Sequence, residues 1–295
     1  MVSLAIAKSV ENMEISHNVV HGQWDWMNDP EIHSTTWEWD MAGLMSQWQY
    51  SHNYRHHVFA NIVDLDDDLG FGIMRVTRDV AWRPRNLAQP FRNVLLAVIF
   101  EWGIALHGLH SEHERAANDD ERNAQTRALK AKIKRQALKD YVLFPALNGS
   151  RWRRALTANI AANILRNLWA YAVIFCGHFP DGVETFTPDV VEHESKGEWY
   201  LRQMLGSANF KAGHVLAFLS GNLCYQIEHH LFPDLPSNRY AAIAVRVRAL
   251  CDAYGLPYTT GPLLGQFFQV QRTILRLALP DRSVSTAPTG VGARI

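Results

Sequence analysis

An all-α chain is predicted from three observations. Apolar residues recur at helical spacing in seven segments, alternating strand patterns are scarce, and the histidines cluster in four-residue steps. With 295 residues the chain is long enough for one large domain or two small ones. It shows no internal repeat, and its simplest division is one helical domain over residues 1–280 followed by a flexible tail at 281–295, DRSVSTAPTGVGARI.

The predicted helices run from Val10 to His21, Trp37 to Tyr54, Phe91 to His110, Asp120 to Phe144, Leu156 to Gly177, Ala212 to His230 and Ser237 to Tyr254. Pro236 followed by Ser237 offers a start for the last of these, and Gly255 with Pro257 supplies its stop. Two segments approach membrane length, 91–109 and 156–177, although Glu101 lies in one and Arg166 with several Asn in the other. Charged residues inside a span face the protein interior or water, so 156–177 is the better span and 91–109 divides between a span and a buried or interfacial helix. The intervening basic stretch, with Lys130, Lys132, Lys134, Arg135 and Lys139, belongs on the cytoplasmic side by the positive-inside tendency.

Composition narrows the function. Lys plus Arg and Asp plus Glu both number 29, so no net positive charge draws the chain to nucleic acid. The apolar fraction of 47% excludes a disordered chain, while a mean hydropathy of −0.17 leaves most of the protein in water. The three cysteines, Cys176, Cys224 and Cys251, form no C-x-x-C pair, which removes a zinc ribbon and a disulfide framework and makes a reducing, cytoplasmic face the default. The opening MVSLAIAKSVENMEI has no basic segment ahead of its apolar run and does not read as a secretory signal.

Fourteen histidines carry the chemical signal. His17 and His21 are one turn apart in HNVVH; His52 and His56 repeat the step in SHNYRHH, with His57 pointing about 100° further round. His229 and His230 are adjacent in QIEHH and project in different directions, with Gln226 one turn before His230. Seven imidazoles suit a metal that accepts nitrogen, with iron, copper and zinc all open, and exceed the roughly four ligands of one zinc site. A two-metal centre fits the count. The carboxylate-rich ferritin-like class needs two Glu-x-x-His motifs, whereas only Glu14 and His17 have that spacing. His33, His193 and His214 read as surface or satisfied core residues, and His107, His110 and His113 as a solvated helix end.

HNVVH, HNYRHH and QIEHH, with the trailing LFPDLP, resemble the three histidine boxes of the membrane-bound fatty acid desaturases from about residue 10 to 260. Gln226 at the start of the third box looks like the linoleoyl-type or front-end branch, and the flanking sequence is most similar to actinobacterial acyl-CoA desaturases. The resemblance implies a membrane-embedded helical stem with a cytoplasmic histidine-rich domain holding two non-haem irons. By the family's pattern the metal ligands are His17, His21, His52, His56, His57, His178, His229 and His230, with Gln226 at a ninth place, weakly or through water, and Asn222 supporting it. The implied reaction removes two hydrogens from adjacent carbons of a long acyl chain, carried as acyl-CoA or acyl-lipid, with dioxygen and two external electrons. Neither a G-x-G-x-x-G fingerprint nor an iron–sulfur cysteine set is present, so a ferredoxin-type or NAD(P)H-dependent reductase is expected as donor, with the basic stretch 127–139 as a docking face. A di-iron lipid or alkane hydroxylase, a haem-binding membrane protein and a non-catalytic homologue are the alternative readings. Members usually carry a hydrophobic hairpin before the first box; here 16 residues precede His17, and weak desaturation is expected on that account.

Overall fold

The computed structural model describes residues 1–281, so the expected tail lies outside the described residues apart from Asp281. The helical expectation holds, with only two short strands among the described residues. Helix α1 covers residues 2–20: Val2–Ser9 is α-helical, Val10–Ser16 widens into π-helical turns, and His17–Val20 is α-helical again. Helix α2 repeats this design over residues 45–59, with the π turns at Gln49–His56 between Met45–Trp48 and His57–Phe59. Residues 37–44, expected as helix, are not. There the chain folds on itself and the Trp39 indole donates to the Gly43 carbonyl.

Helices α3 (Gln89–Val98) and α4 (Phe100–Arg115) meet at a bend of 106°. The segment 91–109 is therefore not one straight span. Asn167 supplies what the break lacks: its amide donates to the Val98 carbonyl at 2.9 Å and its oxygen accepts from the Glu101 N–H at 3.4 Å. Helix α5 (Asp119–Leu138) starts on Asn118, whose side chain accepts from the Glu121 N–H, and has three acidic residues in its first turn. Its basic residues divide. Lys132 pairs with Glu38 and Lys139 with Asp40, while Lys130, Lys134 and Arg135 are exposed.

Helix α6 (Trp152–His178) is the axis of the molecule, 27 residues or about 40 Å long. Asn159, Asn163, Arg166 and Asn167 are buried on its inner side, while Ile160, Leu165 and Leu168 are exposed. Among the described residues, Gly149–His178 is the one helix long and apolar enough to cross a membrane. Phe100, Tyr171, Phe175 and Leu223 form the principal core around it with Val270 and Ile274.

Helix α7 (Lys196–Leu205) begins with a capping box between Ser195 and Glu198. Strand β1 (Asn209–Lys211) pairs in parallel with β2 (Thr260–Pro262). The helix expected from Ala212 to His230 is two helices, α8 (His214–Leu219) and α9 (Gln226–Leu231), separated by left-handed residues Gly221 (φ 64°) and Asn222 (φ 60°). A Cβ at Gly221 would lie 2.1 Å from the Met13 carbonyl oxygen, so the turn reaches α1 only because the residue is glycine. Helix α10 (Tyr240–Tyr254) ends at Gly255 in the left-handed conformation, as its sequence predicts. Helix α11 (Leu263–Leu277), which the sequence reading did not identify, packs Val270 and Ile274 against the core.

Candidate metal centre

Four elements deliver imidazoles to one place: α1 and the residue after it bring His17 and His21, α2 brings His52, His56 and His57, the end of α6 brings His178, and α9 brings His229 and His230. All eight are buried. Their ligand atoms gather into two groups, each within 4.8 Å. One contains His17, His21, His52 and His229, the other His56, His178 and His230. His57 lies between them, its ring centroid 4.7 Å from His21, 4.8 Å from His229 and 4.5 Å from His230.

The outer nitrogens are held. His52 Nδ1 lies 2.8 Å from Asp68, His56 Nδ1 2.9 Å from Asp66, His230 Nδ1 3.0 Å from Gln203 Oε1, and His229 Nδ1 3.2 Å from the Tyr240 hydroxyl. The Tyr240 hydroxyl also lies 3.1 Å from the Phe232 carbonyl, which accepts from it and leaves its oxygen to accept from the imidazole. With Nδ1–H spent on these acceptors, the lone pair of each ring sits on Nε2. The Nε2 atoms of His21, His52, His56, His57, His229 and His230 are buried and have no hydrogen-bond partner among the described residues. Six orphaned imidazole nitrogens converging on one interior are costly unless something binds them, and oriented, neutral nitrogen donors are what a transition metal takes up.

Electrostatics keeps most of the rings neutral. Burial, then neighbouring imidazoles, holds His21, His57, His229 and His230 well below the ordinary histidine range, and burial brings His17 down to about 3. His56 is the exception. Burial opposes its charge, but the Asp66 carboxylate overcomes that and raises it. Burial also disfavours ionised Asp68, yet its bonds to His107 and His52 outweigh burial and hold the carboxyl well below its usual range.

Gln226 and Asn222 part company. The Gln226 side-chain amide donates to His178 Nε2 at 2.9 Å, and its Oε1 is buried without a partner. Asn222 directs its amide to Ser237 Oγ at 3.1 Å, the same hydroxyl that accepts from Asn18 beside His17, and so it ties the third cluster to the first instead of supporting Gln226.

Sequence reasoning assigned no role to Asp66, Asp68, Gln203 or Tyr240. The run VDLDDDLG directly after the second cluster was a usable signal, because carboxylates beside histidines are the usual partners of metal-binding rings. The reading of His107 as part of a solvated helix end is corrected. His107 is largely buried and its Nε2 lies 3.2 Å from Asp68, whereas His110 and His113 do lie at the exposed end of α4. His193 and His214 are exposed and His33 half-buried, away from the cluster.

A cavity of about 50 Å³ opens beside the centre, with His17, His52, His178 and Gln226 at one side and Met13, Phe71, Phe100, Ile104, Ile174 and Leu223 among its apolar walls.

The sequence profile of the fatty acid desaturase family matches residues 1–262. The chain is 56% identical over 287 residues to an NADPH-dependent stearoyl-CoA 9-desaturase of Mycobacterium tuberculosis, an alignment covering 95% of this chain and 67% of that protein. It is 23% identical over 269 residues to an sn-1 linoleoyl-lipid 6-desaturase of Synechocystis, covering 88% of this chain and 74% of the other. It is 28% identical over 238 residues to an acyl-lipid (8-3)-desaturase of Physcomitrium patens, covering 76% and 48%. No solved structure matches the chain.

Proposed function

From the premise that this chain belongs to the fatty acid desaturase family and is an acyl desaturase, an oxidoreductase, we propose that it introduces a double bond into a long-chain acyl-CoA at a centre of two irons. One observation carries the reading: two converging groups of buried imidazoles, most with a nitrogen left without a partner among the described residues, border a largely apolar cavity. The similarity to a stearoyl-CoA desaturase favours a CoA thioester over an acyl-lipid, and that relative's NADPH dependence favours a reductase as electron donor.

In this reading His17, His21, His52 and His229 hold one ion, His56, His178 and His230 the other, and His57 serves between them. When bound, the iron pair supplies the oxidising power that breaks two unactivated C–H bonds, with dioxygen and two external electrons. The protein does the rest. Asp68, Asp66, Gln203 and Tyr240 fix ring orientation and tautomer, so ligand geometry is set before substrate arrives. Phe71, Phe100 and Leu223 seat the acyl chain and exclude water from the reacting carbons. Gln226, hydrogen-bonded to His178, stands at the boundary between the ligand set and the cavity. Helix α6 with its exposed Ile160, Leu165 and Leu168 seats the protein in the membrane, and the exposed basic residues Lys130, Lys134 and Arg135 put the histidine-rich side toward the cytoplasm and offer a face to an acidic donor.

The test is expression in cells lacking the matching desaturase, followed by mass spectrometry of total fatty acids. A new monounsaturated species supports the reading. A hydroxylated species in its place selects the hydroxylase, which uses the same ligand set; neither product, from iron-loaded and folded protein, refutes both.

A further inference from the structure

Glu101 and Arg166 are both buried and form an ion pair of 2.8 Å between α4 and α6. Their neighbour Asn167 has a structural reason to be there, because it satisfies the free backbone groups at the α3–α4 bend. The pair has none. Glu101 Oε2 and the Nε and Nη1 atoms of Arg166 are buried without a hydrogen-bond partner among the described residues. Glu101 and Asn167 also line the cavity beside the metal centre. That cavity follows one face of α6. From His178, Ile174, Ala170 and Asn167 recur at steps of three or four residues, a descent of about 16 Å at the rise of an α-helix. Met13, Phe71, Phe100, Ile104 and Leu223 are among the walls between, and Glu101, whose partner Arg166 is not itself in the lining, lies with Asn167 at the end remote from His178.

We propose that the Glu101–Arg166 pair is the floor of the acyl cavity, a polar stop that sets the longest saturated tail the centre accepts; the proposal rests on the acyl desaturase reading. Each methylene that slides between apolar walls favours binding by roughly fourfold. At the floor this gain reverses. A terminal methyl pressed against an unpartnered carboxylate oxygen offers it no hydrogen bond and closes it off from water, so the next carbon weakens binding. A hydrophobic floor would yield gradually by side-chain rearrangement, whereas a charged pair held between two helices gives a sharp limit.

The experiment measures binding of a graded series of saturated acyl-CoAs, from myristoyl to behenoyl, to the iron-loaded 295-residue chain in nanodiscs, and in parallel the chain lengths of the products. Replacing both partners together, Glu101→Leu with Arg166→Met, removes the charges without leaving one unpaired. The longest accepted chain should lengthen, and affinity for the first chain beyond the wild-type limit should rise by about tenfold, between the effects of one methylene and two. Glu101→Gln keeps the size and a hydrogen bond to Arg166, and should move the limit in the same direction by about threefold even if the double variant does not fold. An unchanged limit in every folded variant, or an equal loss of affinity at all chain lengths, overturns the proposal. The binding series is independent of turnover. A wild type that shows a sharp binding limit but forms no product from any chain refutes the desaturase reading and leaves the floor standing.

Discussion

His52 and Asp68 lie 2.8 Å apart, Nδ1 to carboxylate, and the other oxygen of Asp68 lies 3.2 Å from His107, so one buried carboxylate orients an imidazole of the centre and joins it to the cavity wall. Asp68→Asn keeps the shape but exchanges a charged acceptor for a neutral one. Metal affinity should fall by about 10–100-fold, read by competition with a chelator. Undiminished affinity would show that His52 needs no such partner.

His56→Ala and His229→Ala should each abolish product, because each removes a nitrogen from a different group, whereas His193→Ala, exposed and remote, should not. Near-normal turnover by either of the first two, at equal protein in the membrane, removes the ligand assignment.

Purified protein should contain about two irons per chain, since the nitrogens exceed what one site uses. Elemental analysis giving one zinc per chain, unchanged when iron is supplied during expression, contradicts it.

Acid should destabilise the metal-free protein. His17, His21, His57, His229 and His230 have lowered values in the fold, while the unfolded chain protonates near the ordinary value of about 6.5. Below that pH the unfolded state binds more protons, so stability rises with pH and is lost as pH falls from about 7 toward the folded values. His56 and His107, where the Asp66 and Asp68 carboxylates overcome burial, contribute the opposite sign but are two rings against five. The melting temperature of chelator-treated protein should therefore drop between about pH 7.5 and 5.5, and a rise would contradict the neutral-ring description.

Gly221→Ala should destabilise the protein by about 2 kcal/mol or more, since left-handed strain adds to a collision with the Met13 carbonyl. Gly72→Ala also has a positive φ but meets nothing within 4 Å, and should cost about 1 kcal/mol. Equal melting temperatures for the two variants would remove the close-approach argument.

Spacing and residue type alone made the three histidine clusters legible, because the four-residue step of His17 and His21, or of His52 and His56, is written directly in the chain. The helical class was legible for the same reason. Long periodic segments such as Leu156 to Gly177 determine their own conformation, and the structure only extends that helix to Trp152–His178. Tertiary structure decided what depends on residues distant in sequence. Gln203 reaches His230, Tyr240 reaches His229, and Asn167 caps a bend some 70 residues away in α3–α4. It also decided that His107 is an interior residue while His110 and His113 are not, a distinction set by what packs on each face of α4 and invisible to a helix considered alone. The sequence thus determined which chemistry the side chains can perform, because ligand type is a property of the residue. The fold decided which nitrogens are left without partners and where Glu101 and Arg166 meet, because burial and convergence exist only once four separate elements are brought together.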